Sequence, residues 1–325
     1  MIVVRTPLRI SFVGGGSDFP DYYRAHGGAV LSTAIDKYVY VIVKERFDDQ
    51  IYISYSRKEI VNSVADIQHE LVREAMRITG VDRGVEITTL ADVPSSGTGL
   101  GSSSSITVGL LQAFYAYKGV LVTAEQLAQQ ACEIEIERCK KPIGKQDQYI
   151  AAFGGLRVIQ FNRDNSVVVQ SVGSAEAVRQ QLNRELLLFY TDVTRSASGV
   201  LQEQQQNIPE RRSELAEMVA LVEPGRACIV DADLTRLGEL LHRGWELKKG
   251  LASTVSSTWI DGLYAAARVA GATGGKIAGA GGGGFLLLHC PLDRQSRVRA
   301  ALSNLRELPF SLERDGSRVI FNIRS

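Results

Sequence analysis

The chain has 325 residues, 45% of them hydrophobic, and a formal net charge of +1 at pH 7. This length allows a substantial core and suits two domains of ordinary size. Because the charge is almost balanced, the sequence lacks the basic surface that binds nucleic acid or an anionic membrane, and we expect neither partner.

The start of the chain and its cysteines predict a cytoplasmic protein. Only three apolar residues follow Met1 before the charge of Arg5, too few for the apolar part of a signal peptide. No apolar run approaches the roughly 18 residues of a membrane span. The four cysteines have neither paired nor metal-ligand spacing, as expected in a reducing compartment: Cys132, Cys139, Cys228 and Cys290.

A glycine turn at residues 14–18 follows two β-rich pieces, which lie within residues 2–13 on either side of Thr6-Pro7. A helix is predicted from Pro20 to His26. A plain hairpin turn in which Asp18 caps that helix explains the pattern by turn chemistry alone. The alternative is a substrate site, and it depends on the resemblance described below. Its residues would be Gly15, Gly16, Ser17 and Asp18.

Regular elements follow up to residue 90. Alternation of β-branched and aromatic residues with polar ones predicts strands at 30–35, 39–44 and 51–55. An amphipathic helix is predicted at 67–79, ended by Gly80, and a further strand at 85–90.

Residues 92–109 connect that strand to a helix through a loop of glycines and serines. Gly97, Gly99 and Gly101 alternate with single residues, and a backbone without Cβ atoms can approach a ligand closely. The serines after Gly101 stand at a helix start, where free N–H groups and the helix dipole favour an anion. A flexible linker is the alternative, but linkers are usually longer and do not join a strand to an apolar helix. The context therefore predicts a phosphate cradle, although no lysine follows the last glycine as in a Walker A loop.

A helix predicted from Thr123 to about Cys139 carries a carboxylate on its apolar face. At about 100° per residue, Glu135 falls in the middle of the face around Ala131, whereas Glu137 falls on the solvent side. An inward charge is costly unless it is paired or bound to a metal. A buried salt bridge, for instance to Lys145, and a metal ligand remain equal alternatives on helix geometry alone.

Pro142 ends this helix, and residues 143–149 begin another. Asp147 in this segment either caps the new helix electrostatically or takes part in a reaction. Strands predicted at 156–161 and 167–172 form a hairpin. The charged run that follows leads us to place a domain boundary near Ser174, giving domains 1–174 and 175–325.

The second domain begins with a strand at 186–190 that leads to Arg195 at a helix start. Arg195 either binds an anionic part of the substrate or pairs with a neighbouring acid. We expect the final strand, 319–323, to complete this domain. Helices are predicted at 197–207, 209–222, 233–249, 256–270 and 293–305.

A second glycine run, residues 274–284, matches G-x-G-x-x-G through Gly279, Gly281 and Gly284. A strand at 285–288 follows it, whereas a dinucleotide site requires a helix there. The run is therefore not a dinucleotide motif.

Four segments, in order between residues 6 and 285, resemble the motifs of the GHMP kinase superfamily. The loop at 94–103 resembles P-x-x-x-G-L-G-S-S, with four residues in place of three between Pro94 and Gly99, and residues 144–148 resemble the segment with the catalytic aspartate. The second glycine run is similar to the third motif, whose glycines pack beside the phosphate loop. Residues 7–18 resemble the first galactokinase motif, except that Gly15-Gly16 replaces Glu-His, which argues against galactose and is similar to the heptose-phosphate kinase branch.

The resemblance implies an α+β fold of two domains, an N-terminal ribosomal-protein-fold-like ATP-binding domain and a ferredoxin-like C-terminal domain. It also implies a kinase that uses ATP and Mg²⁺ to phosphorylate the anomeric C1 hydroxyl of a sugar phosphate. D-glycero-D-manno-heptose 7-phosphate, on the route to GDP-heptose and surface polysaccharide, is the acceptor that this branch suggests.

The resemblance further assigns roles to individual residues. Asp147 and Arg9 would be catalytic, with Asp147 accepting or only orienting the hydroxyl proton. Ser103 and Glu135, about a dozen residues before Asp147, would bind Mg²⁺. The ATP site would comprise Pro94, Gly97, Thr98, Gly99, Leu100, Gly101, Ser102, Ser103 and Ser104. The substrate site would comprise Gly15, Gly16, Ser17, Asp18, Arg195, Gly282 and Gly283.

Two alternatives stay open at this point. One is another sugar 1-kinase, of the fucokinase or galactokinase kind, and the other is a sugar and ATP sensor that keeps the fold without the chemistry. The presence of Asp147 and Arg9 favours an enzyme. The sequence leaves the oligomeric state open, with a homodimer among the options.

Overall fold

The computed structural model describes residues 1–94, 97–193 and 197–323. The strands in this part of the chain are β1 (Ile2–Val13), β2 (Gly28–Glu45), β3 (Ile51–Ser54), β4 (Lys58–Val61), β5 (Val85–Ala91), β6 (Leu156–Phe161), β7 (Val167–Ser171), β8 (Leu186–Tyr190), β9 (Gly274–Ile277), β10 (Phe285–His289), β11 (Arg306–Glu307) and β12 (Arg318–Asn322).

The α-helices of the same segments are α1 (Pro20–His26), α2 (Glu70–Thr79), α3 (Ser102–Lys118), α4 (Ala124–Cys132), α5 (Gln146–Phe153), α6 (Glu176–Glu185), α7 (Ala197–Asn207), α8 (Arg212–Ala220), α9 (Val222–Val230), α10 (Leu234–Lys249), α11 (Thr258–Ala270) and α12 (Gln295–Ala301). A π-helix, Glu133–Arg138, extends α4 directly. None of these helices is long and apolar enough to cross a membrane.

The long strands β1 and β2 form the centre of the larger sheet, in which the order β12-β1-β2-β5-β3-β4 is extended by β6, paired with β2, and by β7, paired with β6. They pair antiparallel from Ile2 opposite Val43 to Val13 opposite Leu31, with register shifts after Pro7 and Ser11. Proline donates no N–H to a ladder, which accounts for an irregularity at that position. The sequence predicts each long strand as two pieces, whereas each is continuous.

Helix α3 packs against β1 and β2 and begins directly at the predicted cradle. A Cβ atom at Gly109 would lie 2.9 Å from Thr6 Oγ1 and 3.0 Å from Val41 Cγ2. The missing side chain therefore lets the helix lie close to the sheet. Leu110, Leu111 and Phe114 in the second half of α3 are fully buried and anchor the helix in the core.

The smaller sheet has the order β11-β8-β10-β9, with every pair antiparallel. Its core surrounds Trp245 of α10, which is fully buried with Leu288 of β10. Strand β9 and the C-terminal end of α10 face the larger sheet, and the candidate site lies at this junction. Mixed helices and sheets in two units agree with the predicted α+β class.

One prediction about elements is wrong, and several elements were missed. The final strand β12 does not complete the second unit, because it pairs antiparallel with β1 of the larger sheet. The helix predicted at 209–222 is the shorter α8, and the sequence did not predict α9, which begins at Val222. Nor did it predict α6, which spans the charged run 176–184 and buries Val178 and Leu182 four residues apart. Strand β4 was not predicted. The domain boundary near Ser174 stays a proposal.

Candidate active site

The glycine and serine loop turns sharply into the start of α3. Gly97, Gly99 and Gly101 have φ values of 74°, 75° and 80°, a left-handed backbone that glycine adopts without strain. Arg9 N donates to Leu100 O at 3.0 Å and so ties the loop to β1. A pocket that we call the cradle cavity lies over this loop and is lined by Gly97, Thr98, Gly99, Gly101, Ser102, Ser103 and Ser104.

Two of the predicted ATP-site residues do not line the cradle cavity. Pro94 is exposed before the loop, and the side chain of Leu100 is fully buried in the core beneath it. Leu100 therefore anchors the loop from below, and only its backbone belongs to the turn.

The second glycine run packs directly against the cradle. A Cβ atom at Gly279 would lie 2.6 Å from Gly99 Cα, and one at Gly284 would lie 2.6 Å from Thr98 O. Contacts this close exclude any side chain, so the two glycine runs support one another by backbone contact. This is the arrangement that the resemblance implies for them.

Gly282 and Gly283, predicted to bind substrate, lie elsewhere. Gly282 N donates to Val255 O at 2.7 Å, and a Cβ atom at Gly283 would lie 2.2 Å from Val193 O. Among the described residues of this run, Lys276, Gly279 and Ala280 line the polar cavity, and Gly279 and Ala280 also line the cradle cavity. Gly282 and Gly283 shape the loop rather than the cavity surface.

A second pocket, which we call the polar cavity, adjoins the cradle cavity. Its lining includes the glycine turn at 14–18, Gln146 and two lysines, Lys248 and Lys276. The polar and cradle cavities have volumes of about 550 and 1010 Å³, partly open to solvent. Arg9 and Asp147 line both, so this pair lies where the two cavities meet.

Arg9 and Asp147 form a bidentate ion pair. Arg9 Nε donates to Asp147 Oδ1 and Nη2 donates to Oδ2, each at 2.7 Å, while Nη1 donates to Gly99 O at 2.5 Å. Arg9 is buried, and the side chain of Asp147 is 23% exposed. The guanidinium group thus fixes the orientation of the carboxylate and links it to the cradle. Three of the five N–H groups of Arg9 are used in these bonds.

Asp18 lines the polar cavity and is 2% exposed. Its Oδ1 accepts from Gly16 N at 3.0 Å, and its Oδ2 accepts from Gln146 N at 3.2 Å. Burial and the nearby charge of Asp147 raise the pKa of Asp18. Gly15 and Gly16 also line the cavity, whereas Ser17 does not, because its hydroxyl donates to Gly14 O and accepts from Ala29 N. Ser17 is therefore a structural residue of the turn.

Glu135 is fully buried, as helix geometry predicts, and Glu137 is exposed. Its Oε1 accepts from Ser103 Oγ at 2.5 Å, and its Oε2 accepts from Ser104 Oγ and Gln148 Nε2, each at 2.7 Å. Burial raises the pKa of Glu135, while Lys141 and these hydrogen bonds oppose the increase. The residue lies in the π-helix, a rare widening of the helical turn that is frequent at functional sites.

The partner suggested for Glu135 in a salt bridge is wrong. Lys145 Nζ bonds to Asn165 Oδ1 at 2.7 Å instead, and Lys141 Nζ lies 3.8 Å from Glu135 Oε1 and 3.1 Å from Ser103 Oγ. The ammonium group of Lys141 therefore lies beside both Glu135 Oε1 and Ser103 Oγ. Its position shows that these two oxygens suit a cation.

The donor set fits Mg²⁺. No group of three or more His, Cys, Asp or Glu side chains in the described part of the chain could hold a metal ion on its own. Magnesium is commonly held by one or two protein oxygens, with phosphates and waters completing its shell. Ser103 and Glu135 would hold it, and it would neutralise phosphate charge at the cradle.

Sequence reasoning assigned no role to either lysine of the polar cavity. Lys248 is 5% exposed and Lys276 is 4% exposed. A signal for Lys248 exists, since it shares a helical face with the fully buried Leu241 and Trp245, and a charge on an apolar face indicates a function or a partner. Arg195 lies outside the described residues.

Comparison with known proteins agrees with this geometry. The model of the GHMP kinases N terminal domain matches residues 60–155, and that of the GHMP kinases C terminal domain matches residues 226–307. Together they cover more than half of the chain. The chain belongs to the GHMP kinases. It is a phosphotransferase, and ATP is the phosphate donor that this family uses.

Individual relatives cover almost the whole of this GHMP kinase. D-glycero-alpha-D-manno-heptose 7-phosphate kinase of Campylobacter jejuni is 29% identical over an alignment of 318 positions that covers 92% of each chain. L-fucokinase/L-fucose-1-P guanylyltransferase of Bacteroides fragilis is 26% identical over 91% of this chain but only 35% of its own length. The crystal structure of a D-glycero-D-manno-heptose 1-phosphate kinase from Bacteriodes thetaiotaomicron superposes with a TM-score of 0.83, at 25% identity and over 100% of both chains.

Proposed function

We propose that this kinase transfers the γ-phosphoryl group of ATP to the anomeric C1 hydroxyl of D-glycero-D-manno-heptose 7-phosphate. The product is the 1,7-bisphosphate, a precursor for GDP-heptose and surface polysaccharide. One observation carries the proposal: the Arg9–Asp147 pair lies where the cradle cavity meets the polar cavity. The 29% identical heptose 7-phosphate kinase supports the choice of acceptor.

The cradle cavity would bind the triphosphate of ATP. Backbone N–H groups at a glycine loop and at a helix start provide donors and a favourable dipole for phosphate oxygens. Gly97, Gly99 and Gly101 leave this backbone uncovered, and Ser102, Ser103 and Ser104 add hydroxyls at the start of α3. Bound ATP would thus direct its terminal phosphate towards Arg9.

The acceptor would occupy the polar cavity with its anomeric hydroxyl against Asp147. An Oδ atom of Asp147 would accept or orient the hydroxyl proton as the oxygen attacks phosphorus. Arg9 holds both Oδ atoms and keeps two N–H groups outside its three described bonds, so it would also stabilise charge on the transferring phosphoryl group. Phosphoryl transfer depends mainly on such positioning and charge stabilisation.

Asp18 and Gln146 would orient the hydroxyls of the sugar ring. Both face the polar cavity, and Gln146 N and Nε2 already donate to the Asp18 carboxylate. Gln146 Oε1 is buried and has no hydrogen-bond partner among the described residues. A sugar hydroxyl is a suitable donor for this oxygen.

Cellular location and assembly are part of the proposal. A cytoplasmic enzyme would have ATP available, and all four cysteines are free thiols. A homodimer and a single subunit are both compatible with a site in which the catalytic pair and both cavities come from one chain.

A screen of ADP release tests the proposal. Wild-type protein is supplied with ATP, Mg²⁺ and a panel of free sugars and sugar phosphates that includes fucose, galactose and the heptose with and without its 7-phosphate. We expect turnover to be highest with heptose 7-phosphate. Preference for fucose or galactose would replace the proposal with another sugar 1-kinase, and ATP binding without ADP release on any sugar would favour a sensor.

A further inference from the structure

The two lysines of the polar cavity differ in how fully they are bonded. Lys276 Nζ donates to Ser11 O at 2.9 Å and to Phe12 O at 3.1 Å, so it connects β9 to β1. Lys248 Nζ donates to Gly279 O. An ammonium group has three N–H donors, and in the described part of the chain no carboxylate forms an ion pair with Lys248.

Lys249, the next residue of α10, has the environment of an ordinary surface lysine and serves for comparison. Lys249 Nζ forms an ion pair with Glu246 at 2.9 Å and is partly exposed, whereas Lys248 points inward and is 5% exposed. A buried cation without a counter-ion is costly. Burial and the charge of Arg9 accordingly lower the pKa of Lys248 to about 8.

A second polar atom of this cavity lacks a partner. Ser11 Oγ is buried, lines the polar cavity and has no hydrogen-bond partner among the described residues. A buried hydroxyl without a partner forgoes the hydrogen bonds that water would provide. Ser11 and Lys248 therefore both offer hydrogen bonds to a molecule in the cavity.

The charges of the described lining favour an anion as that molecule. Three cationic side chains, Arg9, Lys248 and Lys276, line the polar cavity with two carboxylates, Asp18 and Asp147. Arg9 and Asp147 already neutralise each other in their bidentate pair. A neutral sugar would leave Lys248 without a counter-ion, whereas a phosphate monoester would supply one.

We infer that Lys248 and Ser11 bind the phosphate group that the acceptor already carries, which makes Lys248 the residue that selects a sugar phosphate over a free sugar. Lys248 lines the polar cavity and is absent from the described lining of the cradle cavity, where ATP would lie. It thus acts on the acceptor side of the Arg9–Asp147 pair. The inference rests on the proposed function, because it assigns a subsite within the same active site.

Lys248→Met tests this inference, since methionine keeps the unbranched apolar chain and removes the charge. We expect KM for heptose 7-phosphate to rise by about 10- to 100-fold, because the variant loses one hydrogen bond to a charged group. KM for ATP should change less than about twofold, and kcat at saturating acceptor less than about threefold. Lys248→Arg should recover part of the acceptor affinity, and circular dichroism establishes that each variant is folded.

Lys249→Met is the matched control, because it removes a charge one position away on the outer side of the same helix. We expect it to keep the wild-type KM for the acceptor. Ser11→Ala should raise the same KM by a smaller factor than Lys248→Met and should leave thermal stability unchanged or increased, since the hydroxyl has no partner.

Three results would overturn the inference. They are an unchanged acceptor KM in folded Lys248→Met, an equal change for heptose with and without its phosphate, or a large fall in kcat with KM unchanged. The last result would place Lys248 on the transferred phosphoryl group. The proposed function fails separately, when wild-type protein does not turn over heptose 7-phosphate at all. Wild-type turnover combined with an insensitive Lys248→Met would therefore refute only the phosphate subsite.

Discussion

Arg9 and Asp147, 138 residues apart in the chain, meet through two parallel hydrogen bonds of 2.7 Å at the boundary of the two cavities. Such bidentate pairs fix orientation as well as charge. Arg9 also reaches the carbonyl of Gly99, so the carboxylate proposed to receive the proton is connected to the loop proposed to hold ATP. The pair would thus position both reactants relative to one another.

Asp147→Asn tests the chemical role of this carboxylate. The amide keeps the shape and loses the charge, so kcat should fall by about 10²–10⁴. The structure adds a cost in stability of about 1–3 kcal/mol, because the buried Arg9 loses its charged partner. Turnover is therefore measured on protein whose folded fraction is known from thermal unfolding. Near-normal kcat in folded protein would exclude Asp147 as the base.

Gly101→Val tests whether the cradle binds the nucleotide. Gly101 has a φ of 80°, and even a Cβ atom there would lie 3.2 Å from Arg9 Cγ and 3.3 Å from Asp147 Oδ2. We expect calorimetric titration to show loss of ATP binding while acceptor binding remains. Gly173→Ala is the control, since a Cβ atom there meets no atom within 4 Å, and it should bind ATP as the wild type does. Unchanged ATP affinity in folded Gly101→Val would remove the cradle from the nucleotide site.

Glu135→Gln and Glu137→Gln separate a metal ligand from a surface charge. Losing a carboxylate ligand should raise the Mg²⁺ concentration needed for half-maximal rate and lower kcat for Glu135→Gln. Glu137→Gln, on the exposed side, should match the wild type. A Glu135→Gln protein that loses thermal stability but keeps the wild-type Mg²⁺ dependence would show that Glu135 has only a structural role.

The phosphate subsite predicts a dependence on pH. Arg9 and Lys276 face Lys248 and disfavour its charge, whereas Asp18 and Asp147 favour it, and the net pKa is about 8. If only the protonated lysine binds the acceptor phosphate, KM for heptose 7-phosphate should rise about tenfold between pH 7 and pH 9. The same increase should be absent from Lys248→Arg, whose charge persists over this range. Equal pH profiles for KM in the two proteins would contradict the prediction.

The stability of the ligand-free protein should increase with pH, whereas its affinity for the acceptor should decrease. The folded pKa of Lys248 lies below the usual 10.5, so between about pH 8 and pH 10.5 the unfolded chain binds more protons than the folded one. Stability contributed by this residue therefore rises with pH in that window. Wild-type protein should gain thermal stability relative to Lys248→Met as the pH increases from 8 to 10, and a constant difference would contradict the shifted pKa.

Much of the site follows from sequence because local patterns determine it. The cradle between β5 and α3 and the inward position of Glu135 each depend on a strand, a helix and their local spacing. These two features needed no knowledge of long-range packing. The resemblance to a known family adds the contact of the two glycine runs and the catalytic assignment of Arg9 and Asp147.

Other features depend on packing that local patterns do not contain. An alternating strand gives no information about its partner, so β12 could not be assigned to β1, more than 300 residues earlier. Strand β4 exposes both Lys58 and Ile60, one charged and one apolar, on the same side. It therefore has no apolar face from which it could be predicted. The π-helix and the choice of Lys141 over Lys145 likewise arise from the way α4 meets its neighbours.

The position of the new phosphate tests the central claim most directly. Wild-type protein is incubated with ATP, Mg²⁺ and D-glycero-D-manno-heptose 7-phosphate, and the product is examined by ³¹P NMR. We expect a second sugar phosphorus coupled to the anomeric proton, formed in step with ADP and absent with Asp147→Asn. A new phosphate at another carbon, or turnover of free fucose or galactose without any turnover of the heptose phosphate, would contradict the account.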